Sequence, residues 1–152
     1  MTDSRDFIRQ NARELERLRV LVGRLTDEEL ASQVNESWTV AGVLGHAAFW
    51  DTRAKFLADK LISGVPFSLL DDEPEDVDWI NDSTRPLIHA IPPRALAELS
   101  VRIAEETDAQ MATLPPELAA KGSPFDPASP LILVRAGHRR EHLDEIEASL
   151  ST

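Results

Sequence analysis

Two of the four histidines in this 152-residue chain, His138 and His142, stand one helical turn apart in the run His-Arg-Arg-Glu-His. Imidazoles at i and i+4 share one face of a helix and can grip a single metal ion. The chain has no cysteine, so a transition-metal site must be built from imidazole, carboxylate or water. Glu141 does not turn the pair into the helical zinc-protease motif. There the glutamate directly follows the first histidine, and here Arg139 takes that place. On a helical wheel both histidines fall within about 40° of Leu131 and Glu145, near Val134, on the stripe expected to face the core. Two imidazoles buried side by side are costly unless neutral and partnered, so the pair asks for a metal, a carboxylate or a polar cavity. Glu145 is one available carboxylate. Glu141 is the nearest candidate base, or else a solvent-facing partner of Arg139 or Arg140.

His46 lies between Val43 and Trp50, about 70° from the centre of its own apolar stripe, where it can reach the interior from the edge. It could supply a third ligand. Gly45 and Gly137 each flank a candidate histidine and remove bulk where two helices would have to meet. His89, with Pro86 and Pro92 on either side, reads as a surface loop residue. Trp38, Trp50 and Trp79 read as core or rim packing.

The elements that must position these residues are helical. Ile8, Leu15, Leu18, Val22 and Leu25 keep the three-four spacing of one buried stripe from Ser4 to Leu25. Thr26 and Glu29 form a capping box for a short helix over about 27–32. Thr39 caps a long helix to about Ser63 with Val40, Val43, Ala47, Trp50, Ala54, Leu57 and Leu61 inward, and Gly64-Val-Pro66 ends it. The acidic run 71–76 reads as a solvated loop. Val77 to Ser83 suits a short helix, but Pro86, Pro92 and Pro93 predict a kinked crossover without a continuous one. Leu96, Leu99, Ile103, Met111 and Leu114 mark another helix, opened by Pro93 and closed at Pro115-Pro116. Residues 117–130 read as a loop. Ser129 and Pro130 then open the last helix, to about Ser149. The expectation is one all-α domain over 1–152, a four-helix bundle with a kinked crossover between its second and third principal helices.

The formal net charge of -11 opposes binding to phosphate backbones and anionic headgroups, so neither nucleic acid nor membrane is an expected partner. A polar first segment without an apolar core, and no apolar run of membrane-spanning length, predict a cytoplasmic protein.

The segment Trp38-Thr-Val-Ala-Gly-Val-Leu-Gly-His46, followed about ninety residues later by His138-x3-His142, resembles the DinB/YfiT-like metalloenzyme superfamily. Leu25-Thr-Asp-Glu-Glu-Leu30 and Asp76-Val-Asp-Trp-Ile-Asn81 extend the likeness over nearly the whole chain. Gly42 departs from it, because relatives often carry an acidic residue there. The resemblance implies a four-helix bundle in which His46, His138 and His142 hold one divalent metal ion, Zn²⁺ or Ni²⁺. It also implies a homodimer and a small-molecule substrate such as a low-molecular-weight thiol, since relatives include thiol-dependent transferases and isomerases. A metal-dependent S-transferase or hydrolase is then one expectation, with catalytic residues unassigned. A bundle that sequesters a small molecule without turnover and a bundle with a structural metal are the others.

Overall fold

The computed structural model describes residues 6–65, 77–119 and 134–151. Its helices are α1 (Asp6–Arg24), α2 (Asp27–Ala31), α3 (Val40–Ile62), α4 (Val77–His89), α5 (Pro93–Ala112), α6 (Pro116–Ala119) and α7 (Ala136–Leu150). Among the described residues there is no strand, only an isolated bridge between Gln33 and Thr39. The acidic run 71–76 and the expected start of the last helix at Ser129-Pro130 lie outside the described residues.

Helices α2 and α3 begin where their caps dictate. Thr26 Oγ1 accepts from the Glu29 amide at 3.1 Å while Glu29 Oε2 accepts from the Thr26 amide at 3.0 Å. Thr39 Oγ1 accepts from the Gly42 amide at 2.9 Å and opens α3. At its far end Gly64 takes φ 74°, and the Gly64 and Val65 amides return to the carbonyls of Leu61 and Lys60. That double closure needs a left-handed residue, which glycine supplies without a Cβ clash.

The four long helices contact in a closed order, α1 on α5, α5 on α3, α3 on α7 and α7 on α1, around a core built from Leu18, Leu21, Leu44, Leu96, Leu143 and Ile146 among others. A smaller cluster of Phe7, Ala54, Leu57, Ala58, Met111 and Leu114 fills the other end. The face that α5 buries is lined by Ala97, Ser100, Ala104 and Thr107, and their small side chains let it run along α3. The inner stripe of α3 passes through Leu44, Ala48 and Asp51, displaced from the expected Ala47 and Trp50, which are only half-buried.

Two expectations about the crossover are corrected. Helix α4 continues through Pro86 to His89, where a break was expected. Proline lacks the N–H that would reach the Asp82 carbonyl, and on a largely exposed helix water can serve that carbonyl instead. His89 is therefore helical. Residues 116–119 also form one turn, where a loop was expected. Trp50 Nε1 donates to Asn81 Oδ1 at 2.8 Å and ties α4 to α3, whereas Trp79 is 72% exposed and lies outside the core.

Candidate metal centre

Helix α7 starts at Ala136, with Val134 and Arg135 outside it, so the helix is not continuous from Pro130. Its first amides are capped by a residue from the opposite end of the chain. The buried Asn11 of α1 accepts through Oδ1 from the Arg135 and Ala136 amides at 2.8 and 2.9 Å. This cap fixes where α7 begins, and hence where its histidines stand.

The buried stripe of α7 is Ala136, Arg139, Leu143 and Ile146. His138 and His142 lie together on its flank, half-buried, instead of at its centre. Arg139 occupies the centre because carboxylates meet it. Its guanidinium donates to Asp108 at 2.7 and 2.8 Å, to Asp51 at 3.1 and 3.2 Å, and to the Asn11 carbonyl at 3.3 Å. Arg135 donates to the other oxygen of Asp51 at 2.8 Å. Burial alone would lower the Arg139 pKa, but the Asp108 and Asp51 hydrogen bonds and charges outweigh it and leave it raised. Sequence reasoning offered Arg139 only as one of two solvent-facing partners for Glu141, as the alternative to a base. Glu141 is exposed and Arg140 pairs with Glu14 at 3.1 Å.

From this scaffold the three histidines converge. His46, 9% exposed, projects from α3, and one ring nitrogen from each of His46, His138 and His142 falls within 4.8 Å of the others. His138 Nε2 and His142 Nε2 are 3.0 Å apart. Two imidazoles bound side by side to one ion at about 2.0–2.1 Å stand roughly 2.9–3.4 Å apart, so this separation suits a shared metal. Burial pushes His46 down to about 4, with the charge of His142 a lesser cause. His138 falls to about 2, again mainly from burial, with His142, Arg135, His46 and Arg139 adding to it. Both are thus neutral at physiological pH, the state in which imidazole has a lone pair to give. His46 Nδ1 and His138 Nδ1 are buried without a hydrogen-bond partner, and because His138 faces His142 through Nε2, an ion shared there would leave the Nδ1 of His138 as it is.

Trp38 closes one side, its ring 5.4 Å from that of His46 and 5.3 Å from that of His89. His89 thus comes near the cluster without joining it. A Cβ on Gly42 would meet His89 Nε2 and Cδ2, which gives the glycine a role where relatives often carry an acid. Gly45 admits Ile88 and Leu96, from α4 and α5, not α7. Gly137 has nothing within 4 Å, so the expected close approach at that residue is absent.

The sequence model of the mycothiol maleylpyruvate isomerase N-terminal domain family matches residues 12–146. The chain belongs to that family. It is a DinB/YfiT-like family whose members typically bind a divalent metal, and the histidine cluster here is compatible with one. The match runs from α1 to α7 and takes in all three clustered histidines. No curated protein and no solved structure matches the chain. Among the described residues no helix is long and apolar enough to cross a membrane.

Proposed function

We propose that this chain is a four-helix-bundle protein, with a kinked crossover between its second and third principal helices, that holds Zn²⁺ or Ni²⁺ with His46, His138 and His142 and acts on a small molecule with a low-molecular-weight thiol as cosubstrate. The observation that carries the reading is the convergence of three imidazoles, two of them kept neutral by burial, from helices α3 and α7. A bound ion would supply Lewis acidity and lower the pKa of a coordinating thiol or water. The chain's own part is to aim three imidazoles at one point and to shield one side with Trp38. The thiol must come from a cosubstrate because the chain has no cysteine. The family name, with its mycothiol, supports that choice. An open cleft of about 640 Å³ beside Trp38, bordered by Asn35, Ser37, Asn81 and Arg85, is the approach a small molecule would use.

The test is metal content in protein purified without a histidine tag, followed by thiol-dependent turnover. Near-stoichiometric metal is expected in the wild type, with a large loss in each of His46→Ala, His138→Ala and His142→Ala and none in His89→Ala. Full occupancy in His46→Ala would break the three-ligand reading. Loaded protein without any thiol-dependent turnover would leave the metal and remove the transferase.

A further inference from the structure

The three imidazoles differ in what holds their second nitrogen. His46 Nδ1 and His138 Nδ1 have no hydrogen-bond partner, whereas His142 Nδ1 stands 3.2 Å from Glu145 Oε2. The other oxygen of that carboxylate, Oε1, accepts from Asn35 Nδ2 at 3.3 Å. Asn35 is itself held, since its Oδ1 accepts from the Ser37 and Trp38 amides at 2.9 and 3.0 Å. A hydrogen-bonded chain therefore runs from the turn that precedes α3, through Asn35 and Glu145, to a candidate ligand on α7.

A neutral imidazole carries one N–H and one lone pair. An acceptor carboxylate at Nδ1 draws the proton there and leaves the lone pair on Nε2, the nitrogen of His142 that faces His138. Glu145 follows His142 by three positions, so both share a face of α7 and the contact needs no distant rearrangement. As a mere ion pair it would count for little, because the Glu145 side chain is 37% exposed. Its importance lies in the orientation it imposes on the ring.

We propose that Glu145 is a positioning residue of the metal centre, fixing the tautomer and angle of His142, and that Asn35 anchors its carboxylate so that the cleft-bordering loop and the ligand are held as one unit. This rests on the metal reading above. It is tested by Zn²⁺ titration of the full chain against a chromophoric chelator, in wild type, Glu145→Ala, Glu145→Gln and Asn35→Ala. Glu145→Ala is expected to raise the Zn²⁺ dissociation constant about 10- to 100-fold, the usual effect of removing such a partner. Glu145→Gln should raise it several-fold, because a neutral amide oxygen is a weaker acceptor, and Asn35→Ala by about two- to fivefold. The melting temperature of the chelated protein should stay within about 2 °C of wild type in all three, which a purely structural role would not allow. Wild type binding one Zn²⁺ with both Glu145 variants within twofold of it would overturn the proposal and spare the triad. Should Glu145→Ala fail to fold, Glu145→Gln decides alone, several-fold weaker binding supporting the proposal and unchanged binding overturning it. No Zn²⁺ in the wild type would remove the triad and this inference together.

Discussion

Two polar clusters meet along α7, and they are built on opposite terms. Around Arg139, two guanidinium groups, two carboxylates and the Asn11 backbone carbonyl interlock, and the Arg139 charge is answered by carboxylates from α3 and α5. One position earlier, His138 turns to the other cluster, where it and His46 each keep a buried nitrogen unanswered. A satisfied buried network holds a structure in one arrangement, whereas a dissatisfied one is expensive unless it does something else. The difference separates the residues that hold α7 against α1, α3 and α5 from those left with unanswered ring nitrogens.

The largest test of that contrast is Arg139→Ala. It strips Asp108 of its guanidinium partner and leaves Asp51 with Arg135 alone, and should cost about 3–5 kcal/mol of unfolding free energy in urea melts. A loss below about 1 kcal/mol would place Arg139 with the surface ion pairs and dissolve the distinction.

Metal removal probes the other cluster. With free metal at about 100 times its dissociation constant, binding contributes roughly 2.7 kcal/mol, a shift of several degrees in the melting midpoint at pH 7.5. The pH dependence follows from folded-state pKa values of about 4 for His46 and about 2 for His138, against about 6.5 in the unfolded chain. The folded form binds fewer protons, so the stability tied to the neutral rings is complete above about pH 6.5 and is lost as the pH falls, through about 4 for His46 and on toward 2 for His138. Protons do not compete for these two ligands at pH 5. The gap between melting curves with and without chelator should therefore still be measurable at pH 5 and close as the pH drops through about 4. A gap already gone at pH 5 would mean that burial does not hold these rings neutral.

Asn11→Ala is the smallest of the three. Loss of the side-chain cap on α7 should cost about 1 kcal/mol, read from the same urea melts. No change would assign the start of α7 to the Arg139 network alone.

The sequence was informative wherever both partners of an interaction lie within one turn. The Thr26–Glu29 box, the Thr39 cap and the Gly64 stop are local, and α2 and α3 begin and end close to where those residues predict. The histidine pair was legible for the same reason, since i and i+4 share a face in any helix. Arg139 was not, because its carboxylates stand 31 and 88 residues away and a charged side chain counts against burial until they are known. The start of α7 was hidden in the same way, its cap being supplied from α1. Pro86 misled through a rule written for buried helices, and α4 is mostly exposed. The position of Asp51 explains the displaced stripe of α3, where an apolar count preferred Trp50.

The cap that Asn11 places on α7 also sets an order of events during synthesis. α1 leaves the ribosome early, but the amides it must cap belong to residues 135 and 136, so its asparagine has no such partner until more than 120 further residues have been made. The helix that carries two of the three histidines is thus secured only when α7 returns to α1. A chain stalled short of α7 therefore has a single one of the three clustered imidazoles in place.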